Sequence, residues 1–209
     1  MAGERHQSLS DEALLGRYCQ GEAEALRVLI ERYHDDLLRF LVRLTGDRHM
    51  AEDVFQDTWI QVAQSAPTFD IGRRFRPWLL TIGANKGRDA LRRKMRRPAL
   101  ELSAPVGGSS DEGATTYVDL LELEVPGPDS ALLRSEQERL VQQALDQLSE
   151  PLREILLLSY FQRLSYAQIA EDLEIPLGTV KSRLHAAVAA FAKAWHQLRP
   201  ASRDEPGPA

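Results

Sequence analysis

The chain reads as all-α: two small helical domains joined by a flexible acidic linker. Three observations predict this. The composition is rich in Leu, Ala, Arg and Glu, with few β-branched runs. Apolar residues recur at helical spacing over long stretches on both sides of the middle of the chain. Between them, residues 99–130 carry Glu101, Asp111, Glu112, Asp119, Glu122, Glu124 and Asp129 with no Lys or Arg, and include Gly107-Gly108-Ser109-Ser110 and Pro126-Gly127-Pro128. That is the composition of a tether rather than of a packed element. The expected organisation is a first domain over 8–98, a linker over 99–130, a second domain over 131–198 and a disordered tail over 199–209.

In the first domain, Ser10 followed by Ala13 and Leu14 starts a helix that Gly21 interrupts. Ala25, Leu26, Leu29, Ile30, Tyr33, Leu37, Leu41 and Leu44 continue an apolar face up to Thr45-Gly46-Asp47. The next helix, Ala51 to Gln64, places Val54, Trp59, Ile60 and Val62 toward a core and gathers Glu52, Asp53, Gln56 and Asp57 on an acidic outer face. Paired carboxylates invite a metal or acid/base reading. No His or Cys sits at ligand spacing beside them and no phosphate-cradling glycine loop occurs, so this face is expected to meet protein.

A net charge of −5 argues against a nucleic-acid binder only if the charges are mixed. They are segregated. Arg73, Arg74, Arg76, Lys86, Arg88, Arg92, Arg93, Lys94, Arg96 and Arg97 are opposed within their stretch only by Asp89, and Phe69, Phe75 and Trp78 are interleaved with them. A charge run is by default a solvated face. Aromatics that can stack on bases beside cations that can hold a backbone suit a single strand. Trp78, inside the run PWLLTI, reads more as core than as a stacking platform.

The second domain contains SYAQIAEDLEIPLGTVKSRLHAAVAAF, from Ser165 to Phe191. Ser165 and Gln168 have capping-box spacing, and Ile169, Ala170 and Leu173 follow on one face until Glu174-Ile175-Pro176 stops the helix. A second helix resumes near Pro176 to Gly178 with Val180, Leu184, Val188 and Phe191 as its inward stripe. Thr179, Lys181, Ser182, Arg183 and His185 are then available to base edges and phosphates of a major groove. A plain helical hairpin is the bland alternative, and His185 reads equally as a solvated surface residue.

Several classes are excluded or disfavoured. The single cysteine, Cys19, allows no internal disulfide and no multi-cysteine zinc site, and it reads as a small buried side chain. The start MAGERHQSLSDEA lacks the apolar core of a signal peptide, and no apolar run reaches the roughly 18 to 20 residues of a membrane span, which predicts a cytoplasmic protein without membrane insertion. The histidines, His6, His34, His49, His185 and His196, are scattered, and no nucleophile, base and orienting group assemble. No enzyme activity, cofactor or metal is expected.

Taken in order, ALLGRYCQGEAEALRVLIERYHDDLLRFLVRLTGD, AEDVFQDTWIQV and FRPWLLTIGANKGRDALRR resemble region 2 of the extracytoplasmic-function (ECF) sigma factors, the small two-domain branch of the bacterial sigma-70 family. LDQLSEPLREILLLSYFQRLSYAQIAEDLEIPLGTVKSRLHAAV is similar to their region 4. The resemblance implies a subunit that binds core RNA polymerase, brings it to promoter DNA, opens the duplex and performs no chemistry itself. It makes Glu52, Asp53, Gln56 and Asp57 the polymerase contacts. Phe69, Asp70, Arg73, Arg74 and Phe75 become the loop that captures a base flipped from the minus-ten element, closed by Asn85 at the start of the following helix. Lys86, Arg88, Arg92 and Arg93 would hold the strand, and Thr179, Lys181, Ser182, Arg183 and His185 would read the minus-thirty-five element.

Two departures from the family pattern matter. Many relatives carry Arg after His185, whereas this chain has Ala186-Ala187-Val188-Ala189-Ala190, so phosphate anchoring by this helix is expected to be weaker. The linker is longer and more acidic than the commonest form. The resemblance implies that the linker threads the polymerase cleft with Asp111, Asp119, Glu122 and Glu124 mimicking nucleic acid there, and 116–125 is either a short docking element or part of a tether. The resemblance also implies an anti-sigma factor as partner. A stand-alone helix-turn-helix regulator binding an operator as a dimer is the alternative, against which stand the lack of a heptad seam and of a ligand cradle.

Overall fold

A computed structural model of the protein describes residues 8–96, 131–162 and 165–198. The linker with Asp111, Asp119, Glu122 and Glu124, Arg97 and the tail 199–209 lie outside the described residues. Every regular element among those described is helical.

Helix α1 spans Asp11–Cys19, α2 Ala23–Thr45, α3 Arg48–Ser65 and α4 Phe75–Arg96, with a 3-10 turn at Ala66–Thr68 between the last two. The starts and stops have local causes. The Ser10 side chain accepts from the Ala13 N–H at 3.2 Å, and the Asp47 side chain accepts from the Met50 N–H at 3.2 Å, each satisfying a donor that the helix leaves orphaned. Gly46, with φ 69°, closes α2 in the left-handed conformation that glycine adopts without a Cβ penalty.

Helix α2 is the centre of this bundle. Ala25, Leu29, Tyr33, Leu37, Leu41 and Leu44 are buried as their spacing predicts. Val28 and Phe40, off the predicted stripe, are buried as well, so the helix is covered on more than one side. Helix α4 comes close to it through glycine: a Cβ on Gly87 would lie 2.7 Å from Leu44 Cδ2, and one on Gly83 would lie 3.1 Å from Leu37 Cδ1.

Helices α5 (Ala131–Asp146), α6 (Glu150–Gln162), α7 (Tyr166–Asp172) and α8 (Leu177–Leu198) form the C-terminal part, with α5, α6 and α7 all packed on α8. Its small core is Leu148, Ile155, Ile169, Val180 and Ala187. The two parts are docked. Leu145, Leu157 and Leu158 belong to the same buried cluster as Leu37, Phe40, Leu41 and Leu44, and the Phe40 and Phe161 rings meet edge to face at 5.6 Å. Arg43 donates to the Glu138 carbonyl at 2.8 Å and Arg153 to the Leu44 carbonyl at 3.1 Å.

Two residues depart from their expected burial. Ile60 is 56% exposed, because the core side of α3 is taken by Ala51, Val54, Thr58, Trp59 and Val62. Cys19 is exposed at the last turn of α1, whose buried face is Leu14 and Leu15.

Phe40→Ala removes a fully buried ring that belongs to the shared core, and is expected to cost about 3–5 kcal/mol in equilibrium denaturation followed by circular dichroism.

Candidate nucleic-acid interface

On α3 the outward face carries the predicted acidic group. Asp53, Gln56 and Asp57 are exposed, while Glu52 is half-buried and accepts from Arg48 at 3.0 Å. The inward face is closed even at its polar member: the buried Thr58 hydroxyl donates to the Val54 carbonyl at 2.7 Å.

The loop before α4 is a built turn. Asp70 accepts from the Gly72 N–H through its side chain and from the Arg73 N–H through its carbonyl, both at 2.9 Å, which throws Ile71, Arg73 and Arg74 outward. Ile71 is 74% exposed, and the sequence reading missed it because a lone apolar residue has no periodicity to mark it. Phe69 is partly buried against Trp78, with ring centroids 4.6 Å apart, so Trp78 contributes both to the core edge and to the support of the loop.

Phe75 is a correction. Its exposure is 0%, and it lies among the rings of Tyr33, Trp59, Phe69 and Trp78, which leaves no surface for a base. The α1 residue Glu12 accepts from the Phe75 N–H at 3.0 Å and so caps α4 from another helix. Glu12 was also missed, since no local pattern links positions so far apart. Beside it, Asp11 accepts from the Tyr33 hydroxyl and from Arg32. Burial, reinforced by that hydrogen bond, pushes the Tyr33 phenol above its ordinary value.

Helix α4 carries the basic residues. It begins at Phe75, so the exposed Asn85 lies mid-helix rather than at the helix start, a second correction; the residues FRPW, with Pro77 in the first turn, already have helical geometry. Lys86 donates to Gln61 of α3 at 3.0 Å, and Arg92 and Arg93 are exposed. An open groove of about 600 Å³ runs between the two helices, lined by Asp57, Ile60 and Gln61 and by Lys86, Arg92 and Arg93. Asp57 therefore faces basic residues that lie some thirty positions further along the sequence, with Asp89 among them. Arg88 turns elsewhere and forms a two-pronged bond with Glu154 of α6, with Nε to Oε2 at 3.2 Å. That hydrogen bond raises the guanidinium above its ordinary value despite the opposing cost of burial.

Arg76, in the first turn of α4, donates to Asp36 Oδ2 at 2.7 Å. Burial alone would raise the Asp36 carboxyl. The hydrogen bond and charge of Arg76, with Arg39, outweigh it and hold the group below the ordinary carboxylate value.

The α7–α8 pair has the geometry of a helix-turn-helix. The Ser165 N–H donates to Gln168 Oε1 at 3.0 Å and the Ser165 hydroxyl accepts from the Gln168 N–H at 3.4 Å, completing the capping box. Glu174 makes the turn at φ 53°. On α8, Val180, Leu184 and Ala187 are buried, so the inward stripe runs through Ala187 rather than through the half-buried Val188. Lys181, Ser182 and His185 face outward, with Thr179 and Arg183 half-exposed at the margins. The Ser182 hydroxyl donates to the Thr179 carbonyl at 3.2 Å.

This arrangement has counterparts. Residues 29–97 match the sigma-70 region 2 family and residues 138–191 match sigma-70 region 4. The chain is 33% identical to the ECF RNA polymerase sigma factor SigW of Bacillus subtilis, over 86% of this chain and 93% of that one. It belongs to the ECF sigma factors. It is 36% identical to the ECF sigma factor SigL of Mycobacterium tuberculosis, over 85% of this chain and 92% of that one. The fold resembles that of CnrH, solved in complex with the cytosolic domain of CnrY, at a TM-score of 0.62 and 24% identity, covering 90% of this chain and 97% of that one. It also resembles the sigma factor RpoE from Bartonella quintana, solved with the anti-sigma factor NepR, at a TM-score of 0.57 and 21% identity, covering 83% and 98%. As an ECF sigma factor the protein directs promoter recognition and transcription initiation. No helix among the described residues is long and apolar enough to cross a membrane.

The Asp36–Arg76 pair gives this ECF factor a pH signature. A carboxyl held low contributes stability that is complete above its unfolded value and fades as pH falls through the folded one. The stability difference between wild type and Asp36→Asn, measured by urea denaturation, is expected to be largest near neutrality and to shrink as pH falls from about 5 to about 3.

Proposed function

We propose that the two domains, taken as 8–98 and 131–198, divide promoter recognition between two surfaces of different chemistry. Asp53, Gln56 and Asp57, flanked by Glu52, meet core RNA polymerase through the exposed face of α3. Phe69, Asp70, Arg73 and Arg74 receive an unpaired minus-ten base at the turned loop, where Ile71 adds apolar surface. Asn85, Lys86, Arg88, Arg92 and Arg93 hold the melted strand. Thr179, Lys181, Ser182, Arg183 and His185 read the minus-thirty-five element in the major groove.

The observation that carries this reading is the coexistence of a helix-turn-helix with a separate loop and helix that present apolar and guanidinium groups together. A duplex reader needs only the first. The second suits bases taken out of the stack, whose unpairing costs a few kcal/mol and is offset by stacking and charge. The protein acts by binding, without chemistry of its own, in the cytoplasm. An anti-sigma protein is its regulatory partner, a reading supported by RpoE having been solved bound to one.

Run-off transcription with purified core polymerase on a pool of promoter fragments tests the assignment. The intact chain is expected to give discrete start sites. Asp53→Ala/Asp57→Ala should abolish them together with binding to core polymerase, while Lys181→Ala/Arg183→Ala should retain polymerase binding and lose promoter selection. Duplex binding by the chain alone, with no redirection of polymerase, would instead show an operator-binding regulator.

A further inference from the structure

Helix α4 starts without a local cap. The side chain of Arg74, which precedes it, has only donors to offer, and Pro77, in its first turn, has no N–H. The acceptor comes instead from α1: Glu12 Oε1 takes the Phe75 N–H at 3.0 Å, across 63 positions of sequence. A carboxylate at this place also complements the positive end of the helix. The turn of α1 that carries Glu12 is itself held down. Asp11 accepts from the Tyr33 hydroxyl and from Arg32, Arg32 donates to the Leu9 carbonyl at 3.2 Å, and Leu14 and Leu15 are buried.

Helix α1 meets the loop before α4 at both of its ends. It packs on the 3-10 turn Ala66–Thr68 that leads into the loop and on α4 that follows it. Between these points Ile71, Gly72, Arg73 and Arg74 are exposed, and the Asp70 turn sets the shape of the loop but not its place on the domain. A recognition site needs its groups held to within about 0.5 Å by the elements that support them. Loss of the acceptor at the Phe75 N–H frees the first turn of α4 to fray, and the end of the loop moves with it.

We propose that Glu12 is a positioning residue for minus-ten recognition: through the Phe75 N–H it fixes the end of the base-capturing loop, and α1 is the clamp across the two ends of that loop. The proposal rests on the reading of Phe69, Asp70, Arg73 and Arg74 as the loop that receives the unpaired base. It goes beyond that reading by assigning a role to a helix that supplies no group to the strand. The place of the acceptor counts, not its charge. An amide oxygen on a side chain of equal length serves as well, whereas a carboxylate one methylene shorter falls short of the N–H.

The test uses holoenzyme assembled from purified core polymerase and the full chain. The template is a promoter fragment that the wild-type chain transcribes, with the minus-ten segment randomised in one library and the minus-thirty-five segment in another, and the DNA retained in heparin-resistant complexes is sequenced. Glu12→Gln should keep the wild-type base preference in both libraries. Glu12→Ala and Glu12→Asp should lower the preference at a minus-ten position by about fivefold, the factor that loss of one helix N-cap ordinarily represents. Preference in the minus-thirty-five library and binding to core polymerase should not change. Wild-type minus-ten preference in Glu12→Asp overturns the proposal. So does a loss in Glu12→Gln, which marks charge rather than position, and so does an equal loss in both libraries, which marks a general loss of structure. The Gln and Asp variants decide the matter even if Glu12→Ala does not fold. Arg73→Ala/Arg74→Ala in the same assay reads the loop assignment separately: a changed minus-ten preference there, beside an unchanged one in Glu12→Asp, removes the clamp and leaves the capture reading in place, and no change in either removes both.

Discussion

Helix α2 must be buried on more than one side, and the rest of the molecule is arranged to satisfy it. Leu29, Leu37 and Phe40 are all fully buried, and Phe40, which also lies against Gly83 of α4, completes its cover with Phe161 of α6. The closeness of α4 to α2 depends on Gly83 and Gly87, since a side chain at position 87 would press into Leu44. With the inner face of α4 held against α2, its outer residues Lys86, Arg92 and Arg93 face α3 across an open groove. The placement of this basic face opposite α3 is therefore a consequence of core packing.

Arginine serves two purposes. Arg76 and Arg153 donate to backbone carbonyls at helix ends, satisfying acceptors that the helices leave orphaned, and Arg43 donates to the mid-helix carbonyl of Glu138; all three fasten one domain to the other. Arg73 and Arg88 instead meet carboxylates. The Arg73 pair is half-exposed and screened, so its contribution to stability is small. The Arg88–Glu154 pair is largely withdrawn from water, where removal of one partner strands a charge and orientation counts for more than net energy. Asp172 shows the same tension: burial raises its carboxyl above the ordinary value and Glu171 adds to that, while Arg73 opposes both.

The helix-turn-helix depends least on this scheme. Its first helix is started by the Ser165–Gln168 box, its turn is made by the left-handed Glu174, and Ile169, Val180 and Ala187 share one small core with Leu148 and Ile155.

By itself the sequence determined what depends on near neighbours along the chain. The all-α class, the caps at Ser10 and Ser165, the acidic face of α3 and the exposed Lys181, Ser182 and His185 all follow from a period of 3.6 residues and from side chains that satisfy backbone groups three positions away. Periodicity says that a face is buried but not by what. Only the tertiary structure decided that Phe75 goes inward while Phe69 stays at the edge, that Ile60 and Cys19 are exposed, that Glu12 caps α4, and that Arg73 and Arg88 meet Asp172 and Glu154. Those outcomes join residues 63 to 99 positions apart in their hydrogen bonds, and a pairing over that distance is set by how the helices pack, since neither partner bears a local mark of the other.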